Sequence, residues 1–361
     1  MMESTKKKVM VVEIVLLLVI PSIAVFIYLD NFDNNLLETA PEETDEQNEE
    51  LDSTAERVAN MVSQLDESMI IDYISKLSSF GPHVTARRIP YKISQLPIIG
   101  KIITLPIEKV ANYIYKEFES MGLMVRYQYW EQEPTIKNLK VPKWFTGWFV
   151  GNNIEATLPG KNESSDEIYL MIAHHDTMPF CTGANDDSSG VAAILATAKV
   201  MSQYSFDHTV RFVTVDGEEQ GLLGSHFYVE EALKNNDNIV ATICIDMIGT
   251  HGPSYRETEV LYGASKESSW LSHLVVSVNK RYPEHFNYTL FYDDPENHFS
   301  DHREFLDDGY NAIYFSEATE DPDWHKSSDV LKNMDVPYAS KVSKLLLATF
   351  AELACNGKNG C

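Results

Sequence analysis

Positive charge is scarce in this chain. Its 361 residues hold 29 Lys and Arg against 54 Asp and Glu, a net charge of −25. No basic cluster with interleaved aromatics occurs. Such a surface repels phosphate, so no nucleic-acid partner is expected. Cysteine is also sparse: there are four, with no Cys-x-x-Cys pair. That sets aside a cysteine-built zinc site. Cys355 and Cys361 flank the segment NGKNG and could close a loop in an oxidising compartment. Cys181 and Cys244 read as single buried or near-site thiols. No internal repeat is apparent, which sets aside a repeat array.

Long hydrophobic runs are limited to one, residues 9–29 (VMVVEIVLLLVIPSIAVFIYL). Its 21 residues match the length a helix needs to cross a bilayer. Lys6, Lys7 and Lys8 precede it, which favours a cytoplasmic N-terminus and an extracytoplasmic remainder. No small-x-small cleavage site follows, so an uncleaved anchor at the cell membrane is expected over a signal peptide. Residues 30–56 carry 11 acids and no Lys or Arg. One charge sign and few apolar residues predict a disordered acidic linker. The folded part is expected over 57–354, with 355–361 as a tail.

With 44% hydrophobic residues, that part can bury one large core. Helical periodicity runs over 57–79 and 107–121. Strand-like runs follow at 123–130, 152–158, 168–173, 209–215, 240–245 and 312–316. Helices alternate with them at 188–203, 221–234, 268–281 and 336–354. The alternation predicts an α/β three-layer sandwich with a mixed, largely parallel central sheet. Residues 82–106 and 139–150 do not fit this pattern. They read as loops on the core, or as caps over a site or membrane.

In such sheets functional side chains gather at the carboxyl ends of strands. Five metal-type side chains occupy separate motifs there or beside them: His174 in AHHDT, Asp186 in GANDDSSG, Glu219 in DGEEQGLLGS, Asp246 in CIDMIG and His325 in DWHKSSD. Two imidazoles and three carboxylates suit zinc. Five ligands exceed one closed tetrahedral site and fit two metals sharing a bridging carboxylate. Each residue also has a bland reading. A strand-end His is usually structural, Asp186 and Asp187 usually cap a helix, and Glu218–Glu219 is usually a solvated pair at a helix start. Of the two aspartates, Asp186 is the better bridge and Asp187 the better cap. Asp176 can accept from the His174 imidazole. Asp329 is available as a helix cap. Glu218, beside a ligand, can act as a general base.

These motifs, with SDHREF before WHKSSD, resemble the di-zinc aminopeptidase family. That family includes bacterial leucyl aminopeptidases, aminopeptidase Y and the glutamate carboxypeptidase relatives. The resemblance covers about 57–354. It implies two zinc ions per chain: Asp186 bridging, His174 and Asp246 on one, Glu219 and His325 on the other. It further implies Glu218 as general base, Asp176 supporting His174, and peptide substrates. Many relatives have a Tyr before the last His, where this chain has Trp324. A Trp there resembles the glutaminyl cyclase branch. A related carboxypeptidase needs a cation for the substrate carboxylate, for which Arg303 and Arg256 are the candidates. A non-catalytic ectodomain is the reading from another class. Asn162-Glu163-Ser164 and Asn287-Tyr288-Thr289 are glycosylation sequons.

Overall fold

A computed structural model of the chain describes residues 45–88, 105–132, 148–250, 259–286, 288–317 and 321–356. The apolar run 9–29, the segment 139–147, Arg256, Asn287 and Cys361 lie outside the described residues. Among those described, no helix is long and apolar enough to cross a membrane.

The first described helix, α1 (Asp45–Gln64), begins inside the stretch 30–56 expected to be a disordered linker, of which residues 30–44 lie outside the described residues. The helical periodicity over 57–79 falls on two helices. Asp66 separates them by capping α2 (Glu67–Ser78), its carboxylate accepting from the Met69 N–H. Of the apolar positions of that periodicity, Val58, Met61, Val62, Leu65, Ile70, Ile74 and Leu77 are buried, and Ile71 is half-buried. After β1 (Ala86–Arg88) and α3 (Pro106–Ser120) come β2 (Met124–Gln132), β3 (Trp148–Leu158) and β4 (Glu167–His174). They lead to α4 (Ser188–Met201), β5 (Thr209–Val215), α5 (Leu223–Asn235) and β6 (Asn238–Ile245). The chain continues through β7 (Glu259–Ala264), α6 (Ser269–Arg281), β8 (Thr289–Tyr292), α7 (His302–Asp307), β9 (Ala312–Ser316) and α8 (Val336–Asn356).

These strands form one nine-stranded sheet in the order β1-β3-β5-β4-β6-β9-β7-β8, with β2 also on β3. The four central strands β5, β4, β6 and β9 are parallel. Antiparallel pairs flank them, with β3 on β5 and β7 on β9. Side-chain alternation along β4 divides the core. Tyr169, Met171 and Ala173 join the cluster that holds α2, α3, α4, α6 and α8. Ile168, Leu170 and Ile172 join a second cluster under α5 and α7. The result is helix, sheet, helix, as the strand–helix alternation predicted. The central helix α4 is buried on every side except Lys199, so its all-round apolar sequence is that of a helix packed between a sheet and other helices.

The chain leaves β4 toward β5 and leaves β6 toward the opposite side of the sheet. Adjacent parallel strands whose connections diverge leave a crevice at their carboxyl ends. His174 is the last residue of β4, and Asp246 follows the last residue of β6.

Candidate active site

The sheet register brings the motifs to this crevice. His174 pairs with Val215 at the end of β5, so Asp216 and the turn carrying Glu218 and Glu219 emerge beside it. The turn needs Gly217: its φ is +90°, and a Cβ there would meet the Trp130 ring at 2.8 Å. Asp186 arrives on the loop before α4. His325 comes on the loop after β9, itself in the left-handed region at φ 57°. A non-glycine residue held there is strained and persists only where its surroundings enforce it.

All five candidate ligands meet. His174 Nε2 lies 3.1 Å from Asp186 Oδ1 and 3.6 Å from Asp246 Oδ1. His325 Nε2 lies 3.3 Å from Asp186 Oδ2 and 3.2 Å from Glu219 Oε2. The two oxygens of Asp186 thus face two different imidazoles, the geometry a bridging carboxylate needs. Asp187 is the cap of α4, its Oδ1 accepting from the Gly190 N–H at 2.9 Å. It also reaches the metal-type cluster: one ligand atom each from His174, Asp187 and Asp246 lie within 4.8 Å of one another. Asp186, Glu219 and His325 form a second such group.

Two supporting residues work differently from their sequence reading. His174 Nδ1 donates to the Asp176 backbone carbonyl at 3.0 Å, whereas the Asp176 carboxylate is 3.7 Å away. That carboxylate instead accepts from the Glu218 N–H at 3.1 Å and the Glu219 N–H at 3.4 Å. It holds the turn that carries both glutamates. Asp329 caps no helix. It accepts from the Asn185 N–H at 2.7 Å and the Asp186 N–H at 3.2 Å, tying the His325 loop to the Asp186 loop. The Cys181 thiol donates to the same carboxylate at 3.4 Å. Asp187 closes the set by accepting from the Met247 N–H at 3.1 Å, next to Asp246. Each ligand loop is therefore fastened to another by a carboxylate taking backbone N–H groups, a charge-assisted bond of the stronger kind.

So many buried acids in one crevice disturb each other. Burial pushes the Glu218 carboxyl up to about 10, with Asp246, Asp301 and Asp176 adding repulsion. Burial likewise raises Glu219 to about 8. Burial also works against Asp186, but hydrogen bonds from His174 and His325 outweigh it and hold Asp186 at about 2. Burial would lower His174, yet the Asp176, Asp186 and Asp246 carboxylates outweigh it and raise its pKa well above the usual value. Protonated imidazoles and neutral acids are how a cation site balances its charge with protons alone.

A pair of zinc ions fits these residues. Glu219 Oε1 and Asp187 Oδ2 are buried with no hydrogen-bond partner. Such orphaned carboxylate oxygens cost free energy unless a cation or donor meets them. The mixed imidazole–carboxylate donor set is one that zinc accepts. His174, Asp246 and one aspartate would hold the first ion, and Asp186, Glu219 and His325 the second.

Sequence reasoning passed over four nearby residues. Asp301 is 1% exposed, beside this cluster. It sits in SDHREF, quoted only as a motif. Glu317 and Asn185 bond each other at 3.0 Å behind Asp186. Thr85 comes from a segment with no readable periodicity. Trp324, a departure from the family pattern, is 54% exposed and lies against His325, with ring centroids 4.1 Å apart and the planes tilted by 32°. Arg303 is engaged, its Nε donating to the His298 carbonyl at 2.8 Å.

The chain is similar to several known proteins. Aminopeptidase YwaD of Bacillus subtilis is 36% identical over 136 residues, 37% of this chain and 28% of that protein. Aminopeptidase Y of Saccharomyces cerevisiae is 34% identical over 157 residues, 42% of this chain and 28% of that protein. The chain thus spans less than a third of the length of either relative. A probable zinc metalloprotease of Leptosphaeria maculans is 25% identical over 344 residues, 83% of this chain and 77% of that protein. Among solved structures, an aminopeptidase from Aneurinibacillus sp. strain AM-1 superposes with a TM-score of 0.64 at 17% identity. It covers 82% of this chain and 96% of that one. The family model described as peptidase family M28 matches residues 153–350. Because that match takes in more than half of the chain and every residue gathered at the crevice from His174 to His325, the chain belongs to peptidase family M28.

Proposed function

We propose that this chain is a zinc aminopeptidase that removes N-terminal residues from peptides. The observation that carries this reading is Asp186 set between two imidazoles, with Glu218 in the turn beside Glu219. In the proposed assignment Asp186 bridges, His174 and Asp246 complete one metal site, and Glu219 and His325 the other. Bound zinc would supply Lewis acidity toward a peptide carbonyl and lower the pKa of water. Glu218 would take the proton from the attacking water and return it to the leaving amine. Burial raises the proton affinity of that carboxyl, and bound zinc nearby would lower it toward the range a base needs. Asp176 would set the Glu218 position through its backbone N–H. Carboxylates left over from metal binding would receive the cationic α-amino group of a peptide. The acidic surface agrees with that in sign.

The relatives named as aminopeptidases support the substrate class, as do structural neighbours such as a zinc aminopeptidase from Bacillus subtilis with a TM-score of 0.64. The apolar run 9–29 after Lys6–Lys8 supports single-pass anchoring with the peptidase domain extracytoplasmic. One observation favours a second reading, glutaminyl cyclisation: Trp324 lies against His325 where a Tyr is common. Of the two candidates for the cation a carboxypeptidase would need, Arg303 donates through Nε to the His298 carbonyl and Arg256 lies outside the described residues.

A screen of the purified protein on aminoacyl, N-acetylated aminoacyl and N-terminal glutaminyl substrates tests the proposal, with and without chelator. Chelator-sensitive release from free N-termini alone is the expected result. Chelator-insensitive activity, or cyclised product without release, overturns it.

A further inference from the structure

Thr85 joins two carboxylates behind the crevice. Its hydroxyl oxygen lies 3.0 Å from Asp176 Oδ2 and 2.7 Å from Asp216 Oδ1. All three residues are nearly solvent-free, at 4%, 0% and 3% exposure. One hydroxyl hydrogen cannot serve two carboxylates. If both acids were ionised, one contact would set lone pairs against lone pairs in a dry environment, a costly arrangement. One of the two acids must carry a proton.

The remaining contacts decide which. Asp176 accepts the Glu218 and Glu219 N–H groups on its two oxygens, so it is the acceptor. Asp216 has only the Asn152 N–H, at 3.4 Å, and that on Oδ2. Its Oδ1 is free to carry the hydrogen. The order is then Asp216 O–H to Thr85 Oγ1, and Thr85 O–H to Asp176 Oδ2. Burial and the Asp176 charge both hold the Asp216 carboxyl well above the usual carboxylate range, in the same sense. Neighbouring bonds fix the segment: the His83 N–H donates to Thr177 Oγ1 at 3.1 Å, and the Thr177 N–H to the His83 carbonyl at 3.4 Å.

We propose that Asp216, as a neutral acid, and Thr85 form a buried clamp that orients the Asp176 carboxylate and through it positions Glu218. Neither residue touches substrate; both are positioning residues. The clamp explains why the chain threads residues 83–85 behind the site, and why Gly151 and Gly217 admit Trp130 to seal Asp216. A Cβ at Gly151 would meet the Trp130 ring at 2.2 Å and Asp216 Oδ2 at 2.9 Å. The kinetic part rests on Glu218 being the base; the proton on Asp216 does not.

The test uses the zinc-loaded full chain and three variants. Thr85→Val keeps shape and removes the hydroxyl. It should lower kcat about 10- to 100-fold, the range for groups that orient metal-site residues, with little change in KM. Thr85→Ser should restore most of that loss. In infrared spectra at neutral pH, wild type minus Asp216→Asn should show the carbonyl band of a protonated carboxyl. Absence of that band overturns the neutral acid, whatever the activity does. A Thr85→Val protein with wild-type kcat, or a Thr85→Ser protein as slow as Thr85→Val, overturns the positioning role. Should Thr85→Val not fold, Thr85→Ser kinetics and the infrared difference still decide. If Glu218→Gln is fully active while the band is present, the base assignment fails and the clamp stands.

Discussion

At the scale of single residues, carboxylates do three separable jobs here, and neighbouring positions divide them. Glu218 and Glu219 are adjacent, yet only Glu219 faces His325. Glu218→Gln should therefore cut kcat by about 10²- to 10⁴-fold, the usual worth of a general base, with zinc content and thermal midpoint kept. Parallel metal analysis and kinetics check this, and an undiminished kcat removes Glu218 from the role. Asp329 ligates nothing and holds the backbone of Asn185 and Asp186. Asp329→Ala strands two buried N–H groups and a thiol. We expect zinc affinity to drop about 10- to 100-fold, read by chelator competition. Unchanged affinity would mean that the Asp186 loop keeps its place without this bond.

At the scale of elements, α4 shows how local capping and the site share one residue. Asp187 caps α4 through Gly190 and reaches Met247 beyond β6. Gly190 is required by space: a Cβ there would meet Asp187 Oδ2 at 2.4 Å. Gly190→Ala should expel the cap and destabilise the fold by about 1–2 kcal/mol, the worth of an N-cap. In urea this should appear as a lower midpoint with an unchanged slope. A wild-type midpoint would show that the cap can move aside freely. The outer strands β1, β7 and β8 have a different logic. β1 has three residues and follows a segment without alternation, and each takes its register from a neighbour: β1 from β3, β7 from β9 and β8 from β7.

At the scale of the whole molecule, the acidic crevice makes stability depend on pH and on zinc together. Glu218 and Glu219 have folded pKa values of about 10 and about 8 against an ordinary 4.5. An acid raised on folding favours the folded state while protonated in it. The advantage is lost progressively as pH rises from about 4.5 through the folded values. His174 and His325 are raised too. Their stabilisation is complete below the ordinary histidine value and is lost as pH rises through the raised one. Both signs agree: the zinc-free protein should melt at a lower temperature at pH 9 than at pH 6. Zinc replaces those protons, so the loaded protein should gain most at the higher pH. Thermal melts at two pH values with and without zinc check this. A zinc-free midpoint that rises with pH would contradict it.

The layers and the candidate site were readable from the chain for the same reason. Buried parallel strands are short apolar runs, and catalytic motifs end them; 168–173 before His174 and 240–245 before Asp246 show both features in a few residues. Local order therefore determined the α/β architecture, the family resemblance and which five side chains should meet. Tertiary structure alone decided what holds them. Asp329 pairs with backbone more than 140 residues away, Thr85 stands 131 residues from Asp216, and Asp176 turns from its own motif neighbour His174 to the Glu218 turn. Bonds from a carboxylate or hydroxyl to a distant residue leave no period in sequence, because the partner is chosen by sheet order and strand register. That is why the candidate ligands were legible in the chain while their fastening, and the proton proposed on Asp216, were not.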